Sequence, residues 1–159
     1  KYYGEVCCRM FSQVYDIETV SLRYFNVYGE RQNLDGAYAL VMRVFAKQRL
    51  NNSPLTIRGD GNQKRDFTHV RDIARANLLA MISQKVGNGD VINIGNNDNR
   101  SVNDIAKMIG GKTINVDPVV EPRETLADNS KAKELIGWKP TIVIEDWVPK
   151  YKKDLGIKD

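Results

Sequence analysis

Apolar spacing along this chain alternates between helical repeats and short extended runs, and that alternation limits its possible folds more than any other feature. Val6, Met10, Phe11 and Val14 recur at helical spacing over residues 1–15, up to the polar Asp16, and a strand-like run follows at 19–24. Residues 26–36 carry two Gly, Asn and several charges without a period and read as a loop. Leu40, Val41, Val44 and Phe45 restore the helical period over 37–50, and the polar run around Pro54 ends it. A strand is expected at 55–58, a tight turn at Gly59-Asp60-Gly61-Asn62, a helix at 70–83 and a strand at 91–94. Ser101 with Asp104 three residues on has the form of a capping box for a helix that Gly110-Gly111 ends. A strand at 112–116, a short helix capped by Asp128 or Asn129 and stopped at Gly137, and a final helix at 144–155 complete the order. Strands alternating with helices predict an α/β fold.

Composition narrows the class further. The 24 Lys and Arg against 20 Asp and Glu leave +4, too little for a polybasic tail, and no basic stripe is interleaved with aromatics, so nucleic acid is not an expected partner. The longest uncharged apolar stretches fall far short of the roughly 18 residues a bilayer span needs, so no membrane is expected. Cys7 and Cys8 are neighbours within a helix, where side chains diverge and do not close a disulfide, which points to a reducing, cytoplasmic setting. No metal site is expected. The chain begins Lys1-Tyr2-Tyr3-Gly4-Glu5, without Met or leader pattern and already in helical period by Val6, as a chain that starts in the middle of something would.

Three stretches carry chemistry when read together: Leu22-Arg23-Tyr24-Phe25-Asn26-Val27-Tyr28-Gly29-Glu30-Arg31-Gln32, the run from Gly59-Asp60-Gly61 through Arg65-Asp66-Phe67-Thr68-His69-Val70-Arg71-Asp72, and Leu126-Ala127-Asp128-Asn129-Ser130-Lys131 on to Gly137-Trp138. In this order and at these separations they resemble the carboxyl-terminal half of the NAD-dependent sugar epimerase/dehydratase family, the extended short-chain dehydrogenase/reductases, and most of all its UDP-hexose 4-epimerases. The resemblance implies the last part of a doubly wound NAD(P)-binding Rossmann fold (residues 1–35 and 66–96) and a smaller mixed α/β part for the nucleotide sugar (36–65 and 97–159). The amino-terminal Rossmann half, with its Gly-rich pyrophosphate loop, would be absent, and no G-x-G-x-x-G occurs among the 12 Gly.

The resemblance also assigns residues. Lys1 would be the Lys of a Tyr-x-x-x-Lys motif whose Tyr precedes this chain. One helical turn apart, the two share a helix face, and the Lys charge would stabilise the phenolate and bind the nicotinamide ribose. Tyr24 and Phe25 would lie against the nicotinamide and Asn26 would face the substrate. Arg65 would hold the nucleotide diphosphate, because a planar, permanently charged fork suits it. Ala39 and Leu40 would sit at the phosphate end of the helix near residue 37, and Thr56, Ile57 and Arg58 would line the base pocket. Glu121 would accept from the ribose. Relatives place a second phosphate-binding Arg three residues before that acid; here Arg123, shifted to after it, is the substrate-binding candidate for that role, and Met42 stands where relatives often have Pro. Without the resemblance, Lys1 reads as a solvated terminal lysine, Tyr24 and Phe25 as core aromatics, and Arg65 as an ion-pair partner of Asp66 or Asp60. His69, the only histidine, reads as structural, and Asp72 as serving the start of its helix.

The implied activity is that of a UDP-hexose 4-epimerase working through NAD and a 4-keto sugar, in a homodimer built on the helix that starts at Lys1. A 4,6-dehydratase or nucleotide-sugar decarboxylase would use the same site. A nucleotide-sugar-binding module without catalysis is the alternative from another class.

Overall fold

The computed structural model describes residues 1–32 and 40–158. In chain order they form α1 (Tyr2–Tyr15), β1 (Thr19–Tyr24), β2 (Val27–Tyr28), α2 (Val41–Leu50), β3 (Leu55–Arg58), β4 (Lys64–Asp66), β5 (Thr68–His69) and α3 (Val70–Ile82). Then come β6 (Asn88–Ile94), β7 (Asn99–Ser101), α4 (Val102–Ile109), β8 (Thr113–Val116), α5 (Ser130–Ile136) and α6 (Ile144–Asp154). The α/β class holds. The short β2, β4, β5 and β7 were not foreseen. Strands of two or three residues carry no measurable period, and each is defined only by a partner distant in sequence.

Pairing is mostly parallel: β1 lies beside β6 with Tyr24 opposite Ile94, β2 beside β5, and β3 beside β8, while β4 and β7 run antiparallel. Parallel neighbours need a crossover, and helices supply it. Local chemistry starts and stops those helices. Asp16, in the left-handed region at φ 55°, ends α1. Ser101 accepts from Asp104 N (3.0 Å) while Asp104 accepts from Ser101 N (3.0 Å), the reciprocal bonds that the sequence predicts for α4. For α5 both candidate caps are engaged, though differently: Asp128 Oδ1 accepts from Ser130 N (3.0 Å), whereas Asn129 holds the cap position and turns its amide to Gly95 O (2.8 Å).

Two apolar clusters form the core. Met42, Phe45, Leu55, Ile57, Ile105, Ile109, Val148 and Tyr151 join α2, β3, α4 and α6. Ile73, Ala76, Ile92, Ile94, Ala132, Ile136 and Trp138 join α3, β6 and α5. Asp72, almost fully buried, does more than serve its own helix start. Its carboxylate accepts from Thr141 N (2.9 Å), Thr141 Oγ1 (2.7 Å), Ile142 N (3.0 Å) and Arg75 (2.8 Å), and its carbonyl accepts from Trp138 Nε1 (2.8 Å). It ties the segment before α6 to α3. The four donors offset the cost of burying the charge, and they hold its carboxyl below the usual range against the opposing effect of burial.

No residue of α1 is buried, and Tyr3, Val6, Met10 and Val14 form an open apolar face. Among the described residues no helix is long and apolar enough to cross a membrane, and Cys7 and Cys8 are free thiols.

Gly95, which follows β6, is closely packed. A Cβ there would lie 2.2 Å from Ala127 Cβ and 3.1 Å from Asp66 Oδ2, whereas one at Gly4 in α1 would meet nothing within 4 Å. Gly95→Ala is therefore expected to destabilise by about 1–3 kcal/mol. Gly4→Ala should stabilise by about 0.5–1 kcal/mol through helix propensity. Urea unfolding of the two variants checks both signs.

Candidate functional site

The carboxyl end of β1 collects the first group of expected residues. α1 runs back along β1, because the three residues 16–18 reverse the chain, Thr19 Oγ1 donates to Cys8 O (2.8 Å), and Arg23 forks onto Glu5 (2.7 and 2.6 Å). Lys1, one turn before Glu5, thus lies at the same end of the sheet as Tyr24 and Phe25. Tyr24 is 47% exposed, and its hydroxyl donates to Asn77 Oδ1 (2.8 Å). Phe25 is half-buried, with its N–H on Ile94 O (3.2 Å). Asn26, at φ 24°, donates its amide to Asp66 O (2.8 Å) and accepts Thr68 N at its carbonyl (3.3 Å). Its amide group therefore binds the chain itself.

The second group forms around β4. Lys64 bridges Glu124 through Lys64 N→Arg123 O (2.9 Å) and Thr125 N→Lys64 O (3.1 Å). Strand alternation then turns Gln63, Arg65 and Arg123 to the face opposite Lys64 and Glu124. Arg65 pairs with neither Asp60 nor Asp66. Its Nη2 donates to Glu121 Oε2 (2.5 Å) and its Nη1 to Lys64 O (2.7 Å), while Gln63 Nε2 donates to Glu121 Oε1 (3.2 Å) and Arg58 O (3.1 Å). Arg123 forks onto Asp60 (2.8 and 2.7 Å). Beside this cluster Arg58, Gly59, Asp60, Gln63, Pro118, Val119, Glu121 and Arg123 line a cleft of about 310 Å³. A larger cleft, about 640 Å³ between residues 27–32 and Val70-Arg71, holds none of the residues expected to bind. Chemistry rather than size therefore selects the smaller one.

Thr56, Ile57 and Arg58 lie on β3. Thr56 is held by Gln48 through both its N–H (3.1 Å) and its hydroxyl (2.7 Å), Ile57 is buried in the core, and Arg58 is exposed on the cleft. The Ile57 side chain therefore faces away from any pocket, leaving its main chain for that role. Leu40 is the N-cap of α2 and rests on the core. A four-residue turn reverses the chain between α2, about 15 Å long, and β3, about 13 Å. The start of α2 thus lies at the Arg58 end of β3. Ala39 falls outside the described residues.

Sequence reasoning missed Asp66. It is fully buried and accepts Asn96 N (2.7 Å), Asn97 N (2.9 Å) and Ala127 N (3.1 Å), while burial pushes its pKa up against the pull of those donors. Its position between the charged Arg65 and the apolar Phe67 is the sequence signal for that role.

His69 is buried as expected, edge-on to Tyr28 and Trp147 at 5.1 and 5.8 Å between ring centres. Its Nδ1 accepts from Arg71 N (3.2 Å) at the start of α3, so the neutral ring carries its proton on Nε2, 3.7 Å from Glu30 Oε1. Burial lowers its pKa below 6.5 despite Glu30. Protonating Nδ1 would also remove the cap acceptor. A base whose folded pKa is depressed contributes stability that is intact above its unfolded value and lost as pH falls through the folded one. Stability should therefore drop as pH falls below about 6.5. In His69→Asn, which keeps a cap acceptor, that slope should flatten, as urea midpoints and the single imidazole resonance will test.

The family model for the NAD dependent epimerase/dehydratase family matches residues 1–95, more than half of the chain. A protein of Bacillus subtilis named as an uncharacterized UDP-glucose epimerase is 37% identical over 153 residues, 92% of this chain and 47% of its own length. UDP-glucuronic acid decarboxylase 4 of Arabidopsis thaliana is 32% identical over 147 residues, 87% of this chain and 32% of that protein. The crystal structure of UDP-glucuronic acid 4-epimerase from Bacillus cereus, in complex with UDP-glucuronic acid and NAD, superposes with a TM-score of 0.86 at 37% identity, over 98% of this chain and 51% of that one. The chain spans about half the length of such proteins or less, and it belongs to the NAD dependent epimerase/dehydratase family.

Proposed function

We propose that the protein is a nucleotide-sugar 4-epimerase acting on a UDP-hexose with NAD. The observation that carries this reading is the pairing of Arg65 with Glu121 on one face of β4, beside a cleft that Arg58 and Arg123 also line. Arg65 takes the diphosphate through its fork and Glu121 accepts from the ribose. The base lies along Thr56, the Ile57 main chain and Arg58, with Leu40 on the other wall. The first turn of α2 contains no acidic residue, so its positive dipole end is free to favour the phosphates. Asn26 holds the loop after β1 to β4 and so positions the substrate side of the site.

At the end of β1, Lys1, the exposed Tyr24 and the half-buried Phe25 stand at one end of the sheet, which suits a nicotinamide ribose and ring, and they would hold NAD there. NAD supplies reversible hydride removal at carbon 4 of the sugar. In a full-length protein carrying a tyrosine one turn before it, Lys1 would stabilise the phenolate and so make that group a base near neutral pH. Arg65 and the base pocket retain the nucleotide while the sugar turns over, which spends binding energy remote from the reacting carbon. Residues 1–35 and 66–96 form the cofactor part and the rest the nucleotide-sugar part. The open face of α1 supports a homodimer, and the free cysteines suit the cytoplasm.

The likeness to a plant UDP-glucuronic acid decarboxylase favours a second outcome at the same site, loss of a carboxyl group from a UDP-uronic acid. Product analysis of the full-length enzyme with UDP-glucose and UDP-glucuronic acid separates the two. These 159 residues hold no G-x-G-x-x-G loop. The polypeptide alone is accordingly expected not to interconvert UDP-glucose and UDP-galactose, and measurable turnover would overturn that expectation. In calorimetric titration of UDP into the full-length protein, Arg65→Ala should weaken binding about tenfold or more. Equal affinities would remove Arg65 from the phosphate site.

A further inference from the structure

The turn at 59–62 presents a carboxylate that the reading above leaves without a task. Asp60 stands at the rim of the 310 Å³ cleft, and both its oxygens are taken by the two Nη atoms of Arg123 at 2.8 and 2.7 Å. This parallel two-bond contact is the one a guanidinium makes with a phosphate, so the pair occupies the anion-binding edge of Arg123. Asp60 is also pre-ordered for the contact. Asn62 donates to it from its N–H (3.0 Å) and from its side chain (3.2 Å), and Asn103 Nδ2 donates to Asp60 O (3.0 Å), pinning the turn to α4. Arg123 turns to the same strand face as Arg65, whose own carboxylate partner is Glu121. The Arg123 fork holds the Asp60 carboxyl far below the usual range, so it is ionised at any working pH.

We propose that Asp60 is an internal competitor for the anion, holding Arg123 in the empty site and yielding it when a nucleoside diphosphate enters, so that Asp60 sets the affinity of the cleft. The inference rests on the UDP reading of this cleft, with Arg123 as its second phosphate arginine, and adds to it the residue that restrains that arginine. Arg65 and Arg123 then differ in kind. Arg65 is braced by the Lys64 carbonyl as well as by Glu121 and stays in place, whereas Arg123 has Asp60 to exchange for phosphate. The competition is thus built between two exposed groups, where exchange of partners is fast and costs little desolvation.

The test is UDP titration of the full-length protein carrying Asp60→Asn, Arg123→Ala or both. Asparagine keeps an oxygen for Asn62 N while losing the charge and the second acceptor, and Asp60→Ser, which can accept the same turn bond, is the second variant. Freeing Arg123 should tighten UDP binding about two- to fivefold, and the gain should vanish when Arg123 is Ala. Unchanged or weaker binding in both Asp60 variants, with Arg65→Ala still impaired, overturns the inference and leaves the nucleotide reading standing. A gain that persists in the Arg123→Ala background also overturns it, because removal of a nearby charge would then account for the effect. Absence of UDP binding in the wild type removes the nucleotide reading and the inference together.

Discussion

The Asp66 carboxylate holds the architecture together at the point where the candidate site is built. Three main-chain N–H groups, 30, 31 and 61 residues away in sequence, converge on its two oxygens. One segment is the turn that leaves β6, and the other is the run that leads into α5. A carboxylate buried without such donors would be costly, and with them it becomes a rigid junction. Gly95 has room for no side chain because Ala127 and Asp66 close upon it, and Asn129 completes the junction by donating to the Gly95 carbonyl.

Three consecutive residues at the end of β4 therefore do three different things. Arg65 points to the ligand face, Asp66 on the opposite face binds distant main chain, and Phe67, just past the strand, enters the core. Strand alternation separates the first two, and it explains why the arginine is held steady. Its neighbour is fastened to two other segments, so the guanidinium is aimed from a rigid base. The carboxyl end of β1 is aimed in the same manner through the Arg23–Glu5 fork and the Asn26 amide.

Much of this was legible from residue order. Helix starts that depend on adjacent residues, such as Ser101 with Asp104, and stops such as Asp16 and Gly137 appear where the sequence implies them. The three motif stretches identify the family and lead to Arg65, Glu121 and Arg123, which do meet around one cleft, directly or through a neighbour. Their partners were not legible. Arg65 was weighed against Asp60 and Asp66, the charges near it in sequence, yet it pairs with Glu121 56 positions on, while Asp60 takes Arg123 63 positions on. Asp72 likewise reads as a local helix residue and serves a segment 69 and 70 residues away.

The sequence by itself determined the alternation of elements, the capping chemistry at their ends and the family, because each of these is written in residues within a turn or two of one another or in a fixed order of motifs. Tertiary structure alone decided which carboxylate faces which arginine, that Ile57 turns into the core while Arg58 turns out, and that the short strands β2, β4, β5 and β7 exist at all. Those outcomes depend on which distant segment arrives beside a given residue, and loop closure and close packing, rather than local preference, select that neighbour.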